Sequence, residues 1–258
     1  MLVKSYIALS SMPLPRFHVD LPLQAGARLA LPAPIAHHAL RVLRLRDGQE
    51  IVLFDGRGGQ YPARLEVDGR TAAAQLGAHD PREAELPGRI VLAQAIPSGD
   101  KMDWVVEKAV EVGAHAIQPL AAARSILKLS GERLEKRVQH WQRVAIAACE
   151  QCGRNRVPAV AAPLTPEQWL SRPAPDGTLR VFCDPDAEVR LTEWLGDLPS
   201  PPADLELLVG PEGGWSPEEY ALATRHGVRA VRFGDRILRT ETAGTALISA
   251  LSAKLDWI

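Results

Sequence analysis

The chain has 258 residues, of which 46% are hydrophobic and 24% are charged, and its formal net charge at pH 7 is −1. This composition is ordinary for globular proteins and excludes wholesale disorder, while the length allows one large domain or two modest ones. The sequence contains no run of about 18 apolar residues and begins without the long apolar stretch of a secretory signal. We therefore predict a cytoplasmic protein without a membrane span.

The small net charge hides an uneven distribution. Residues 1–46 carry six Lys or Arg and one acid, residues 120–160 carry eight and three, and residues 161–258 carry nine and fifteen. Two basic blocks on an otherwise acidic chain are typical of local contact with a polyanion, but solvated basic faces give the same pattern. Charge alone therefore leaves nucleic-acid binding open.

The first part of the chain predicts short strands joined by tight turns. Apolar runs at 51–54 and 61–67 are each followed by an Asp-Gly turn signal. Strands at this spacing are typical of a small barrel. The polar, proline-containing stretch at 79–88 is typical of a linker, so we predict one domain over residues 1–82 and a second over 83–258.

Beyond the linker, apolar runs alternate with helical periodicity, which predicts an α/β fold with a mostly parallel sheet and helices on both faces. The predicted strands are 90–96, 116–120, 179–183, 205–209 and 228–233. The predicted helices are 102–112, 132–152, 217–226 and 241–255, with a further helix-like patch near Trp169.

Cysteine usage predicts no disulfide framework and no metal site. Cys149 and Cys152 form a C-x-x-C pair, but a zinc site needs about four ligands and no second pair follows. Because residues three apart lie on one face of a helix, we expect both to be packing residues.

The most informative segment is 207–219, LLVGPEGGWSPEE, in which an apolar strand runs into three glycines and a helix begins directly afterwards. Glycine lets a ligand lie against the backbone, and ligands of open parallel sheets bind at the carboxyl ends of strands. The loop lacks the Gly-x-Gly-x-x-Gly and Gly-Lys-Ser/Thr patterns, which disfavours dinucleotide and Walker-type phosphate binding. A tight strand–helix turn would use the same glycines.

A second segment, 234–246, repeats the arrangement of a strand, a loop and a helix. Thr240 or Thr242 could cap that helix. The small residues Ala243, Gly244 and Ala246 would let another backbone or a planar ligand approach closely.

The two segments together carry a resemblance. Residues 209–214 (VGPEGG) and 236–243 (RILRTETA) resemble the paired motifs of the SPOUT methyltransferases and, more narrowly, those of the RsmE family of 16S ribosomal RNA uridine-N3 methyltransferases. Residues 15–17 and 37–44 are similar to that family's N-terminal PUA-like domain, and 107–113 and 150–154 to its middle motifs. The resemblance covers nearly the whole chain except the first eleven residues, which we interpret as an extension.

This resemblance implies a SPOUT α/β trefoil-knot domain with a parallel sheet, plus a small PUA-like β-barrel that binds RNA. It also implies a homodimer, S-adenosyl-L-methionine as cofactor, and 16S rRNA of the small ribosomal subunit as partner. The implied reaction is methyl transfer to N3 of a specific uridine in the decoding region. The implied cofactor-binding residues are Val209, Gly210, Pro211, Gly213, Gly214, Leu238, Arg239, Thr242 and Ala243.

The reaction sets a requirement for the site. Uracil N3 carries a proton, so the enzyme must supply a base or cations that stabilise the developing anion. Arg154, Arg156 and Arg239 are candidate cations, while Glu212 or Glu241 could be the base or merely a structural cap. We predict Arg154, Arg239 and Glu212 as catalytic. The predicted RNA-binding residues are Arg16, Arg41, Arg44, Arg46, Arg124 and Arg156.

Two alternatives stay open at this point. One is a related SPOUT enzyme that acts on another RNA base, on a ribose 2′-OH or on transfer RNA. The other is a non-catalytic RNA-binding ribosome assembly factor with a vestigial cofactor site. The region around Arg154 and the N-terminal domain favour the uridine-N3 reaction.

Overall fold

The computed structural model describes residues 14–125 and 131–258, so the proposed N-terminal extension lies outside the described residues. The chain divides into two compact units. The first holds the residues up to Glu83 together with Gly153–Arg156, and the second holds Ala84–Cys152 and Val157–Ile258. A short internal segment therefore belongs with the N-terminal residues, although the residues on both sides of it belong to the second unit.

The first unit is built on a five-stranded sheet of order β1-β3-β4-β5-β2, in which β1 runs parallel to β3 and the other pairs are antiparallel. Its strands are β1 Arg16–His18, β2 Arg28–Ala30, β3 Glu50–Phe54, β4 Tyr61–Asp68 and β5 Thr71–Leu76. The two strands predicted here are confirmed as β3 and β4. The predicted Asp68-Gly69 turn closes the β4–β5 hairpin, with Gly69 at a φ of 58°.

A short helix, α1 (Ala33–His37), continues directly into a π-helical turn over His38–Val42. This helix was not predicted from the sequence, because five residues are too few to show helical periodicity. Arg44, just after the turn, has a φ of 55°, which is uncommon for a residue with a side chain. Val42 and Leu43 are exposed here rather than buried.

The second unit contains a six-stranded, wholly parallel sheet of order β11-β9-β10-β6-β7-β8. Its strands are β6 Arg89–Ala95, β7 Ala116–Leu120, β8 Ala159–Val160, β9 Leu179–Cys183, β10 Asp204–Val209 and β11 Arg229–Val231. Its helices are α2 Lys101–Glu111, α3 Gly131–Cys152, α4 Pro166–Leu170, α5 Leu191–Gly196, α6 Pro217–Arg225 and α7 Thr240–Lys254. All the predicted strands and helices are confirmed to within a few residues, whereas the short β8 and α5 were missed.

Helices cover both faces of this sheet, as predicted. Ala93 of β6 packs in a cluster with Leu170 of α4 and Ala223 of α6. The neighbouring Leu92 points to the opposite face, where a Cβ at Gly244 of α7 would lie only 3.1 Å from its methyl groups. The small residue at 244 therefore serves close packing within the chain.

The expected packing role of the cysteine pair fits the structure: Cys149 is buried and Cys152 half-buried on α3. Among the described residues, no helix is both long and apolar enough to cross a membrane.

Candidate functional site

A cavity of about 760 Å³ lies in the second unit, where β9 and β10 end and α7 begins. Its volume falls within the range of about 300–1,000 Å³ that is usual for small-molecule sites. Three loops form its walls, and they contribute residues 182–186, 209–215, and 233–234 with 236–241. Lys101, Arg124, Tyr220 and Ala243 complete the lining. The cavity thus lies at the carboxyl edge of the sheet, where ligand sites of parallel sheets are expected.

The structure explains why glycines occupy the loop after β10. A Cβ at Gly210 would lie 2.8 Å from the indole Nε1 of Trp215, so any side chain there would displace the ring. Gly214 has a φ of 68°, which side chains oppose. The carbonyl of Gly213 accepts a hydrogen bond of 2.7 Å from the Arg124 guanidinium. The loop therefore presents its backbone to the cavity at these glycines.

A buried hydrogen-bond network joins the two motif segments. Thr240, the first residue of α7, donates its hydroxyl proton to the Gly210 carbonyl and accepts a 2.9 Å hydrogen bond from Nε2 of Gln94. Gln94, at the end of β6, is fully buried. The expectation that Thr240 or Thr242 caps α7 is wrong. Arg239 is the N-cap residue, and its guanidinium has no acceptor with which to cap the helix. The Thr240 hydroxyl is engaged with the glycine loop instead.

Three groups donate hydrogen bonds to the Glu212 carboxylate. It accepts hydrogen bonds from Lys101 Nζ at 2.8 Å, from the Ser98 hydroxyl at 2.7 Å and from the Ser98 backbone N–H at 3.1 Å. Burial acts to raise the pKa of Glu212, but the hydrogen bonds from Lys101 and Ser98 outweigh it and lower that pKa to about 2. A carboxylate this acidic is a poor proton acceptor near neutral pH, which favours the structural role of Glu212 over the role of base.

Aromatic rings line one side of the cavity. The ring of Phe182 lies 5.2 Å from that of Trp215 and 5.3 Å from that of Tyr220, in a T-shaped arrangement with Tyr220. The Trp215 Nε1–H is buried and has no hydrogen-bond partner among the described residues. Such a donor at a cavity wall is available to a ligand acceptor.

Comparison with known proteins identifies the relatives of this arrangement. A family described as RNA methyltransferase domain matches residues 84–252, and a family described as RNA methyltransferase PUA domain matches residues 31–75. The chain is 36% identical to ribosomal RNA small subunit methyltransferase E of Synechocystis over 89% of this chain and 74% of that protein. The chain belongs to this family of RNA methyltransferases.

Solved structures of methyltransferases superpose on this chain and support the same family. The crystal structure of ribosomal RNA small subunit methyltransferase E from Neisseria gonorrhoeae, bound to S-adenosyl methionine, superposes with a TM-score of 0.85 at 39% identity, over 93% of this chain and 98% of that one. A methyltransferase from Legionella pneumophila in complex with the same cofactor gives a TM-score of 0.87 at 33% identity, with the same two coverages. The predicted fold class, a parallel α/β methyltransferase domain with a PUA-like domain, is confirmed.

Most residues that the family motifs pointed to meet at the cavity of this RNA methyltransferase. All the implied cofactor residues except Thr242 line it, and so do Glu212, Glu241 and Arg124. Thr242 is exposed on α7, outside the lining. The wall formed by residues 182–186 after β9 was not predicted from the sequence, because that loop has no glycine cluster. Burial raises the pKa of Cys183 in this wall to about 11, so its thiol stays neutral.

Arg154 and Arg156 belong to the first unit instead. Arg154, which was predicted to be catalytic, is buried, and its carbonyl accepts a hydrogen bond from Arg16. The buried Asn155 accepts a second hydrogen bond from Arg16 at 2.7 Å and donates one to the Arg82 carbonyl at 2.7 Å. Arg156 lies 3.5 Å from Glu83. Arg16 and Arg156 thus have partners inside the unit.

Proposed function

We propose that this protein transfers a methyl group from S-adenosyl-L-methionine to N3 of a specific uridine in the decoding region of 16S rRNA. The observation that supports this most is the cavity at the carboxyl edge of the sheet, built by the two motif loops in a chain that belongs to an RNA methyltransferase family. Residues 83–258 would form the methyltransferase domain, and residues 1–82 the PUA-like domain that binds RNA. Since ribosomal RNA is the substrate, we expect the enzyme to act in the cytoplasm.

The cavity suits the cofactor chemically. A purine-bearing zwitterion needs an apolar or aromatic surface, hydrogen-bond donors and charges of both signs. The described walls offer the rings of Phe182 and Trp215, the unpartnered Trp215 N–H, and charged groups of both signs at their edges. The bare backbone at Gly210 and Gly214 leaves room for a ligand to lie against the loop.

The cofactor, when bound, supplies an electrophilic methyl group on a sulfonium centre. The protein then has to orient the uracil and manage the charge that develops as its N3 proton leaves. Arg239 lines the cavity as the N-cap residue of α7, and its guanidinium stays charged at any relevant pH. We assign it to stabilising the uracil anion.

Glu241 is the stronger candidate for the base. It lines the same cavity, and its Oε2 atom is buried without a hydrogen bond, 3.7 Å from Lys101 Nζ. Glu212, by contrast, is a poor base because the hydrogen bonds from Lys101 and Ser98 stabilise its carboxylate. Changing Glu241→Gln should therefore slow single-turnover methylation strongly. The exposed Glu188, which is outside the lining, provides the matched Glu→Gln control.

RNA contacts are proposed for Arg41, Arg44 and Arg46, whose exposed side chains can reach phosphates, and for Arg124 at the cavity edge. The catalytic role of Arg154 stays a prediction. A homodimer is also proposed, and sedimentation at micromolar concentration should give twice the mass of the chain. A monomer that keeps full activity would exclude the dimer.

Mass spectrometry of 16S rRNA tests the function directly. RNA from a strain that lacks this protein should contain unmodified uridine at one decoding-region position, and complementation should restore N3-methyluridine there. Purified enzyme should transfer the labelled methyl group to the same nucleotide of small-subunit RNA. Methylation of a ribose hydroxyl, of another base or of transfer RNA would contradict the proposal.

A further inference from the structure

Gln94 places a polar side chain in the interior of the second unit. It lies near the end of β6, between the paired strands β10 and β7, and is fully buried. The neighbouring residues Leu92, Ala93 and Ala95 of this strand are also fully buried, and all of them are apolar. A buried amide is tolerated only where its hydrogen-bonding groups find partners, so the partners of Gln94 indicate what it does.

The partners of Gln94 fix the direction of a chain of hydrogen bonds. Its Nε2 atom donates to the Ala95 carbonyl at 3.0 Å and to the Thr240 hydroxyl at 2.9 Å. Because a carbonyl only accepts, the amide cannot be turned the other way without losing the first of these bonds. The Thr240 oxygen therefore accepts from Gln94, and its single proton goes to the Gly210 carbonyl. Gln94 thus determines the direction in which the Thr240 hydroxyl donates.

The oxygen of the same amide has no partner. Gln94 Oε1 is buried and accepts no hydrogen bond from the described residues. It lies towards α7, where a Cβ at Gly244 would be 3.5 Å from it. An apolar residue of the same shape would avoid this unpaired acceptor, so the amide is unfavourable for the stability of the core alone. Side chains that break such a local rule are typical of functional sites.

A second buried glutamine, on the neighbouring strand, has only structural partners. Gln118 of β7 is 3% exposed, and its Nε2 atom also donates to the carbonyl of the next residue, Pro119, at 2.8 Å. Its other hydrogen bond goes to the backbone carbonyl of Ala162 at 2.9 Å. Neither Gln118 nor these partners line the cavity. The two amides differ in this respect, because Gln94 is connected to the lining through Thr240.

We propose that Gln94 is a positioning residue of the cofactor site, which holds the glycine loop in the shape that binds S-adenosyl-L-methionine. It acts through Thr240 on the Gly210 carbonyl and does not itself line the cavity. Because a hydroxyl has one proton, an accepting side chain at position 94 would turn the Thr240 proton away from the loop. This inference rests on the proposed function, in which the cofactor occupies this cavity.

Calorimetric titration of S-adenosyl-L-methionine into the whole protein, without RNA, tests the proposal. Gln94→Glu has nearly the same shape, but its carboxylate only accepts, so the Gly210 carbonyl should lose its proton donor. The dissociation constant of the cofactor should then rise about tenfold, as loss of one hydrogen bond predicts. Gln118→Glu is the matched control, because it places the same group at a similarly buried position without a connection to the loop. This control should bind the cofactor normally.

A second variant keeps the test decisive if a buried carboxylate weakens the fold. Gln94→Met fills a similar space without a strong donor or acceptor, so Thr240 can still donate to Gly210 and the affinity should fall only about threefold. Adding Thr240→Val to Gln94→Glu should weaken binding no further than Thr240→Val does alone, because both changes act through one hydroxyl. Circular dichroism establishes that each variant is folded at the temperature of the titration.

Steady-state kinetics separates positioning from a loss of folded enzyme. In Gln94→Glu the KM for the cofactor should rise about tenfold while kcat stays within about twofold of the wild-type value, as expected when an interaction serves binding alone. A structural role would instead lower kcat and leave the KM unchanged, since part of the enzyme would be inactive.

Three outcomes would overturn the proposal. These are a lower kcat with an unchanged KM in Gln94→Glu, equal cofactor affinity in Gln94→Glu and Gln118→Glu, or additive losses from the Gln94 and Thr240 substitutions. Failure of the proposed function is distinguishable, because it would appear as a wrong methylation product while these differences in cofactor binding persist.

Discussion

The cavity at the carboxyl edge of the second unit's sheet and the groove between α1 and β5 of the first unit use charge in opposite ways. In the cavity, Lys101 is paired with Glu212 at 2.8 Å, and Arg124 donates to the Gly213 carbonyl at 2.7 Å. In the groove, Arg41 and Arg70 have no ion-pair partner among the described residues. Internal pairing fixes the shape of a site before a small ligand arrives. Unpaired surface cations remain adjustable, as contact with a flexible polyanion requires.

Arg154 offers the largest expected effect. Because the side chain is buried, Arg154→Ala should lower the stability of the protein by about 2–5 kcal/mol, as truncation of large buried side chains does. The half-exposed Arg156 provides the control, and Arg156→Ala should cost far less. Thermal denaturation of both variants measures the difference, and an unchanged melting temperature in Arg154→Ala would contradict the burial argument. Methyl transfer should be assayed well below the transition.

Gly210→Val should change the shape of the cavity. A Cβ there would lie 2.8 Å from the Trp215 indole, so the ring has to move and the proposed cofactor site changes shape. Overpacking costs about 1–3 kcal/mol, which would reduce S-adenosylmethionine affinity by up to about 100-fold. Calorimetric titration gives the affinity. Gly196→Val, at a glycine with no neighbouring atom within 4 Å, should bind the cofactor normally; equal affinities would show that the glycine only shapes a turn.

Replacement of Arg41, Arg44 and Arg46 by alanine should affect RNA binding alone, because it removes only exposed cations outside the cavity. If each contacts one phosphate of a single strand, the salt slope of RNA binding should fall by about 2 units. Cofactor affinity should stay at the wild-type value, since none of the three lines the cavity. A wild-type slope in the triple variant would mean that these arginines only face solvent.

Thr240→Val should loosen the connection between the two motif loops. The change leaves the Gly210 carbonyl and the Gln94 amide without their hydroxyl partner, which costs about 1–3 kcal/mol when such groups are buried. Urea denaturation measures the loss, and Thr240→Ser should recover most of it. Equal stability of the valine and serine variants would exclude an important hydrogen bond.

Glu212→Gln should have the smallest and most pH-dependent effect. The folded-state pKa is lowered from 4.5 to about 2, so the stabilisation from the carboxylate is complete above about pH 4.5 and is lost as the pH falls towards 2. The difference in stability between wild type and variant should therefore be constant near neutrality and shrink through this acid window. A difference that grows on acidification would reverse the assignment.

The sequence predicted the parallel sheet and the two motif loops because each has a local pattern: continuous apolar runs for strands and a glycine cluster where backbone approaches a ligand. It could not predict the wall after β9, since Asp184 and Pro185 resemble any polar loop until β9 and β10 pair side by side. The environment of Arg154 was missed for a similar reason. Chain position after a helix suggests exposure, whereas burial depends on contacts with residues far away in the sequence.

The Gly153–Arg156 segment also determines which fragments of this protein are stable on their own. A polypeptide that stops at Glu83 would lose Asn155, and with it the acceptor for Arg16 and the donor to the Arg82 carbonyl. The N-terminal segment up to Glu83 is therefore an incomplete folding module, completed by residues synthesised about seventy positions later. A fragment of residues 1–83 should melt at a lower temperature than the same residues in the whole chain. A synthetic peptide spanning 150–158 should restore part of that loss when it is added in trans.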